Sequence, residues 1–446
     1  MNELTVLRDT YAQIKASLPF LDCYISDLAP VYEEAPLLPP TDFVKLDFTS
    51  SNPRLVRQTE HSFAEIAEMA CKAPKVNFII VSGEKKLMYH ITPLEEILKA
   101  CDNVYLCTAN FCNCYGLERF VEKGFAPKLL FGTMMPFLDA GHALGPLVFA
   151  RLDWKTKCDI AGNNLRALLG QKPIYTDEVK IPYIAPFIID AHAHTCQIEE
   201  MKAFKTQPAQ PEWKVWREVL DSFWYTDALI TPEETIQQGS KYPAYIQMQE
   251  LTKDSHGRMH YYEGFDPRDV KASIRHLETS LRDPLCVGIK IHPKEHQVSA
   301  ADPRYIEAFS IAQRFNKPIM SHTWGVSDYN PKQKYATPSL FDAHLNAFPD
   351  VRFIFGHSGG RINGYKEAVQ MCRAHHNVCV DLAGDLYHNG YLAHCIREIG
   401  VGRMLFASDL YWFDARPMIG MLLETDLGDC ALMQIFRYNA QRIFKL

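Results

Sequence analysis

Phe187 to Thr195 reads FIIDAHAHT, an apolar strand-forming run that delivers two histidines to its carboxyl end with one residue between them. Side chains alternate faces along a strand, so His192 and His194 point the same way. Two neutral imidazoles converging on one point form half of a divalent metal site, and imidazole suits zinc, iron, manganese or nickel better than alkaline-earth ions. An isolated HxH is more often a pair of satisfied histidines. Here three further apolar runs also end in a metal-ligand residue type: PIMSH at His322, VRFIFGH at His357 and MLFASD at Asp409. A fourth, CVGIKIHP, carries Lys290 and His292. Short Val/Ile/Phe runs separated by helical stretches mark parallel strands buried on both faces. When such strands close into a barrel, the residues at their carboxyl ends meet in one bowl. The spacing therefore predicts an α/β chain with a (β/α)8 TIM-like barrel and one site.

HAH at 192–194, GIKIHP at 288–293, SH at 321–322, GHSGG at 356–360, SD at 408–409 and YNAQRIF at 438–444 together resemble the amidohydrolase superfamily. The likeness is greatest to its amidohydrolase-related branch, which includes small hydrolases and nonoxidative decarboxylases. The resemblance covers 187–446 and implies a distorted barrel holding one or two divalent metals. It names no substrate.

At 446 residues the chain exceeds one barrel of about 250 residues, leaving an amino-terminal segment large enough for a unit of its own. A net charge of −6 offers no footprint for nucleic acid, and no run is apolar enough to span a bilayer or form a signal core. Thirteen cysteines without a disulfide framework read as reduced, cytoplasmic thiols, the tight pair Cys112 and Cys114 included. Leu4, Leu7, Tyr11 and Ile14 share one helical face, as a docking helix requires. The expected partner is a small-molecule substrate, and homo-oligomerisation is left open.

An internal repeat organises the amino-terminal part. KVNFIIVSGEKK from Lys75 matches DVRFIFGHSGGR from Asp350 at a shift of 275 positions. DNVYLCTANF at 102–111 then parallels HNVCVDLAGDL at 376–386, and KLLFGTMMPF at 128–137 parallels RMLFASDLYWF at 403–413. Each copy closes on a helix with Asn-x-x-Arg, from Asn163 and from Asn439. A fixed order of matching segments reads as duplication. The first copy lacks the chemistry: Ser82 stands opposite His357, Met134 opposite Asp409, and Tyr24 and Ser26 opposite the two leading histidines. Residues 1–180 are thus expected to form a degenerate, metal-free α/β unit, with strands near 20–25, 43–48, 76–82, 104–108 and 128–132. Residues 181–446 form the catalytic barrel, joined through a proline-containing stretch at 171–186. Seven barrel strands are legible, near 187–191, 259–264, 286–292, 318–322, 351–356, 378–382 and 403–408. Between 194 and 259 the sequence reads as helices, so either an irregular strand hides there or the amino-terminal unit completes that side. The aromatic cluster Trp213, Trp216, Phe223, Trp224 and Tyr225 reads as core or interface.

His192, His194 and His322 are assigned as metal ligands. His357 could hold a second ion or polarise the substrate, and Asp409 is the proton acceptor and a weak ligand, with a helix N-cap as its plainer alternative. Lys290 decides the metal count. Beside an ion it must lose its proton, face a carboxylate, or become a bridging carbamate, which two-metal superfamily members use. Zinc is the expected ion. His292, Trp324, Arg361, Tyr411 and Trp412 are candidates for substrate recognition, with rim packing an equal contender. The leading reading is hydrolysis of an amide, lactone or ester by metal-activated water. The alternatives are a metal-dependent decarboxylase and a catalytically inactive binding or scaffold protein.

Overall fold

The computed structural model describes residues 2–24, 31–32, 43–48, 62–82, 87–195, 213–231, 243–326, 331–361, 363–410 and 412–446. Two parallel sheets organise them. The first has five strands in sequence order: β1 (Val31–Tyr32), β2 (Phe43–Phe48), β3 (Asn77–Ser82), β4 (Val104–Cys107) and β5 (Leu129–Leu130). The second has eight, also in sequence order. They are β6 (Ile188–His194), β7 (Tyr225–Thr231), β8 (Met259–Gly264), β9 (Cys286–Ile291), β10 (Ile319–His322), β11 (Phe353–Gly356), β12 (Val378–Asp381) and β13 (Met404–Leu405). Beyond the ends of the last strand, backbone hydrogen bonds from Ala191 to Phe406 (3.0 Å) and from Asp409 to His192 (2.9 Å) bring it back to the first. The result is a nearly closed TIM barrel.

The second barrel strand, unassigned in the sequence, is YTDALIT at 225–231, directly after the helix Trp213–Ser222. Its signal was hidden because the aromatic cluster before it has a helical stripe that runs into the strand without a breaker. Two corrections fall in the amino-terminal part. Residues 20–24 form no strand, although Leu21 and Cys23 donate to the carbonyls of Ala161 and Phe131, and β1 was not foreseen. Residues 25–26 lie outside the described residues. The helix Glu3–Ser17 buries Leu4, Leu7, Tyr11 and Ile14, the face read from the sequence, and Asn2 caps it by accepting from the Thr5 amide. The 12 cysteines among the described residues are free thiols, and none of the described helices is long and apolar enough to cross a membrane.

The barrel interior is a hydrophobic plug of Ile189, Ala191, Leu229, Tyr262, Val287, Met320, Ile354, Cys379, Leu405 and Ala407, with Ile443 and Phe444 of the helix Asn439–Phe444 packed into the same cluster. Burying each of the Ile, Leu, Val, Met and Phe side chains among them contributes roughly 1.5–3 kcal/mol. Above this layer the inward positions become polar. The change is made by bulges as well as by residue type. In β6 the register slips by one residue between Asp190 and Ala193. Ile189 and Ala191 therefore belong to the interior, Ile188 and Ala193 to the outer core, and the two histidines follow Ala191 on the inside. A second slip, between Tyr261 and Tyr262 in the β8–β9 pairing, does the same for Lys290. An extra residue in a strand re-aims the side chains beyond it.

Candidate metal centre

His192 and His194 at the end of β6 meet Asp409, four residues past β13, in one buried group whose donor atoms all lie within 4.8 Å of one another. His194 Nε2 is 3.0 Å and His192 Nε2 3.9 Å from Asp409 Oδ1, and His357 Nδ1 is 3.8 Å from Oδ2. Asp409 reaches this point with a left-handed backbone (φ 63°), as does His357 (φ 60°). Non-glycine residues in this region are uncommon and concentrate where the surroundings over-determine them. Behind His357, Ser358 is also left-handed and is held by Tyr391, whose hydroxyl donates to Ser358 Oγ at 2.7 Å.

The outer nitrogens are engaged. His192 Nδ1 donates to Asp381 Oδ2 at 2.9 Å, and His194 Nδ1 donates to the Thr231 carbonyl at 3.2 Å. Each ring thereby turns an Nε2 lone pair inward, the usual device for orienting a metal-ligating histidine. Asp381 also accepts from the His357 amide (2.7 Å) and the Ala383 amide (3.1 Å). Under the group, Asp190 accepts from the amides of His192 and Ser408 and from the Ser408 hydroxyl, while burial pushes its carboxyl up to about 7. Asp381 and Asp190 went unmarked in the sequence. Asp381 ends the apolar run VCVD just as Asp409 follows MLFAS, so the same signal was there to be read.

Burial holds His192 well below the usual histidine range, with Lys290 adding to the effect, and lowers His357 to about 4. Burial by itself would raise Asp409. The neighbouring His357, and His194 with its hydrogen bond, outweigh it, keeping the carboxylate well below its ordinary range. The donor set is thus two imidazoles and a carboxylate, which suits a borderline divalent ion. The buried His357 Nδ1, with no hydrogen-bond partner, faces the same group. These residues fit a metal.

Lys290 Nζ lies 2.7 Å from His192 Nε2 and 3.4 Å from Met320 Sδ, and desolvation lowers it to about 8. His322 stands outside the tight group: its Nε2 is 3.1 Å from Gln333 Oε1, and its ring stacks on His292 at 4.1 Å and lies 4.8 Å from His357. His292 also caps the short helix Pro293–His296 by accepting from the Glu295 amide. Trp324 covers His357 edge-on at 5.6 Å, with Gly360 so close beneath the indole that a Cβ there would lie 2.5 Å from it. Arg361 is paired with Asp385, and the Trp412 amide closes the turn on the Asp409 carbonyl at 2.8 Å. Tyr411 lies outside the described residues.

The profile of a family described as amidohydrolase matches residues 189–446. No protein of curated function matches the chain. Among solved structures, 2,6-dihydroxybenzoate decarboxylase from Rhizobium is similar at 14% identity, covering 58% of this chain and 98% of its own, with a TM-score of 0.44. 5-Carboxyvanillate decarboxylase from Sphingomonas paucimobilis is similar at 13% identity over 59% and 100% of the two chains, TM-score 0.43. A TIM-barrel protein from Bordetella bronchiseptica shares 14% identity over 58% and 98%, TM-score 0.47.

Proposed function

Because the chain belongs to the amidohydrolase family, we propose that it is a metal-dependent enzyme hydrolysing an amide, lactone or ester of a small molecule, with Asp409 as general base. The observation that carries this reading is the single carboxylate of Asp409 shared by His194, His192 and His357. A divalent ion, which we take to be zinc, would be held by His192, His194 and Asp409, with His322 as a further ligand on rotation away from Gln333. Bound there it would lower the pKa of water from about 15.7 to near 7 and polarise the substrate carbonyl. Asp409, ionised and buried, takes a proton at its free oxygen and returns it to the leaving group, a contribution of roughly 10²- to 10⁴-fold. Neutral His357 can donate a hydrogen bond to the oxygen on which charge develops. Trp324 walls that side. Twelve free thiols among the described residues support a reducing, cytoplasmic setting.

Lys290 favours a second reading. Its amine lies inside the bowl, against His192 Nε2, the nitrogen that would face an ion, and at about 8 it can carry or release a proton near neutrality. That is a counter-ion for a substrate carboxylate and an acid that could protonate carbon, as a decarboxylase requires. The test is one preparation with two measurements. Elemental analysis should give one zinc equivalent per chain, and a panel of aryl esters, lactones and anilides should be turned over with an acid as product. Carbon dioxide released from hydroxybenzoates, without hydrolytic product, selects the decarboxylase. Full metal content with neither activity sinks both.

A further inference from the structure

We propose that residues 1–170 act as a built-in second subunit, occupying within one chain the place of the other half of a two-fold dimer and clamping the rim loops of the metal-site barrel.

The contact between the halves is self-complementary. The Asp139 amide donates to the Tyr387 carbonyl at 2.8 Å, and the Asp414 amide donates to the Cys112 carbonyl at 2.9 Å. Both donors and both acceptors stand 275 positions apart, so each half gives the other the same bond. The helices Gly141–Val148 and Arg416–Leu423 pack on one another at that same offset. A Cβ on Gly145 would lie 2.1 Å from the Arg416 carbonyl oxygen, and one on its counterpart Gly420 would lie 2.2 Å from that of Gly141, the counterpart of Arg416. Residue i touching j' while j touches i' defines an isologous interface.

The offset recurs away from the contact. Met134 (φ 54°) has the left-handed backbone of Asp409 although it cannot bind metal as a carboxylate does. Asn164 donates to the carbonyls of Ala126 and Leu129, and Asn439 to those of Val401 and Met404. One π-helical turn spans Asp159–Asn163 and another Gln434–Tyr438. Backbone devices survive where the metal-binding side chains do not, which is what selection for a surface alone would leave.

That surface holds the two loops rooted in the site. Past Asp381, Tyr387 stacks on His142 at 5.4 Å and the Asn389 amide donates to the Phe137 carbonyl at 3.0 Å. Past Asp409, the Asp414 carboxylate accepts from the Tyr115 amide at 2.9 Å. Buried rings extend the seam, Tyr115 on Phe223 at 5.3 Å and Phe149 on Trp224 at 5.0 Å.

The test nicks the full-length protein at a specific protease sequence inserted after Lys180 in the exposed connection, then follows size and amide exchange. The two pieces should elute together as the intact chain does, with the amides of Asn389 and Asp414 still protected. Adding Gly145→Leu to the nicked protein should separate the pieces and speed exchange at both amides at least tenfold. His142→Ala, a milder change, should speed exchange at Asn389 in the uncut chain. Pieces that part in the nicked parent, or rim amides whose exchange is the same after separation, overturn the proposal. Neither readout depends on metal or substrate.

Discussion

Asp381 and His192, both buried, share a hydrogen bond of 2.9 Å that ties the end of β12 to the ring at the centre of the site. This bond fixes which nitrogen of His192 carries the proton. Asp381→Asn keeps an acceptor but loses the charge that favours the Nδ1–H tautomer. Zinc affinity, measured by competition with a chromogenic chelator, should fall 10- to 100-fold. Equal affinity in the variant would take Asp381 out of the site's support.

His192→Ala removes a donor at the middle of the group and should abolish metal retention and turnover together. Asp409→Asn should differ in kind. It retains an oxygen that can face the ion but cannot accept the proton, so turnover should drop about 10³-fold while metal content falls only in part. Elemental analysis beside a rate assay separates the two, and turnover unchanged in Asp409→Asn would end its role as base.

His142 is buried and neutral, accepting from the Asn110 amide at 3.1 Å and donating to the Asp139 carbonyl, and burial lowers it to about 4 from the usual 6.5. The folded value lies below the unfolded one, so between them the unfolded chain binds the extra proton. Stability is complete above about 6.5 and is lost as pH falls through about 4, by up to about 3 kcal/mol for this group. Denaturant melts between pH 7 and pH 4 should show an acid limb that His142→Gln flattens. A limb of the same slope in the variant would place the titrating group elsewhere.

Arg416 is buried between Asp414 and Glu118, 2.8 Å from Asp414 Oδ1 and 3.0 Å from Glu118 Oε2, and so bridges the two halves. Removing one partner of a buried pair leaves charge uncompensated. Arg416→Met should cost about 3–5 kcal/mol, and Arg416→Met with Asp414→Asn and Glu118→Gln should recover part of it. Chemical denaturation of the single and triple variants checks the order, and a single variant as stable as the parent would deny the bridge.

His192, His194 and Asp409 were legible because each closes an apolar run, and parallel strands place such ends on one face of a barrel. His322 fits the same rule, yet its nitrogen is taken by Gln333 from a turn 11 residues later, a partner no periodicity announces. The strand Tyr225–Thr231 escaped because helix and strand signals ran together across Phe223 to Tyr225.

Local pattern by itself determined the barrel class, the order of its site-bearing strands and the histidines and aspartate at their ends, since burial on both faces forces apolar runs and leaves chemistry only where they stop. Tertiary structure alone decided which nitrogens face inward, that Asp381 and Asp190 hold them, and that a slip in β6 turns the histidine pair to the inside. It alone decided, too, that the amino-terminal helix Gly141–Val148 lies against Arg416–Leu423. Those outcomes depend on partners far apart along the chain, whose distances exist only once the strands have closed.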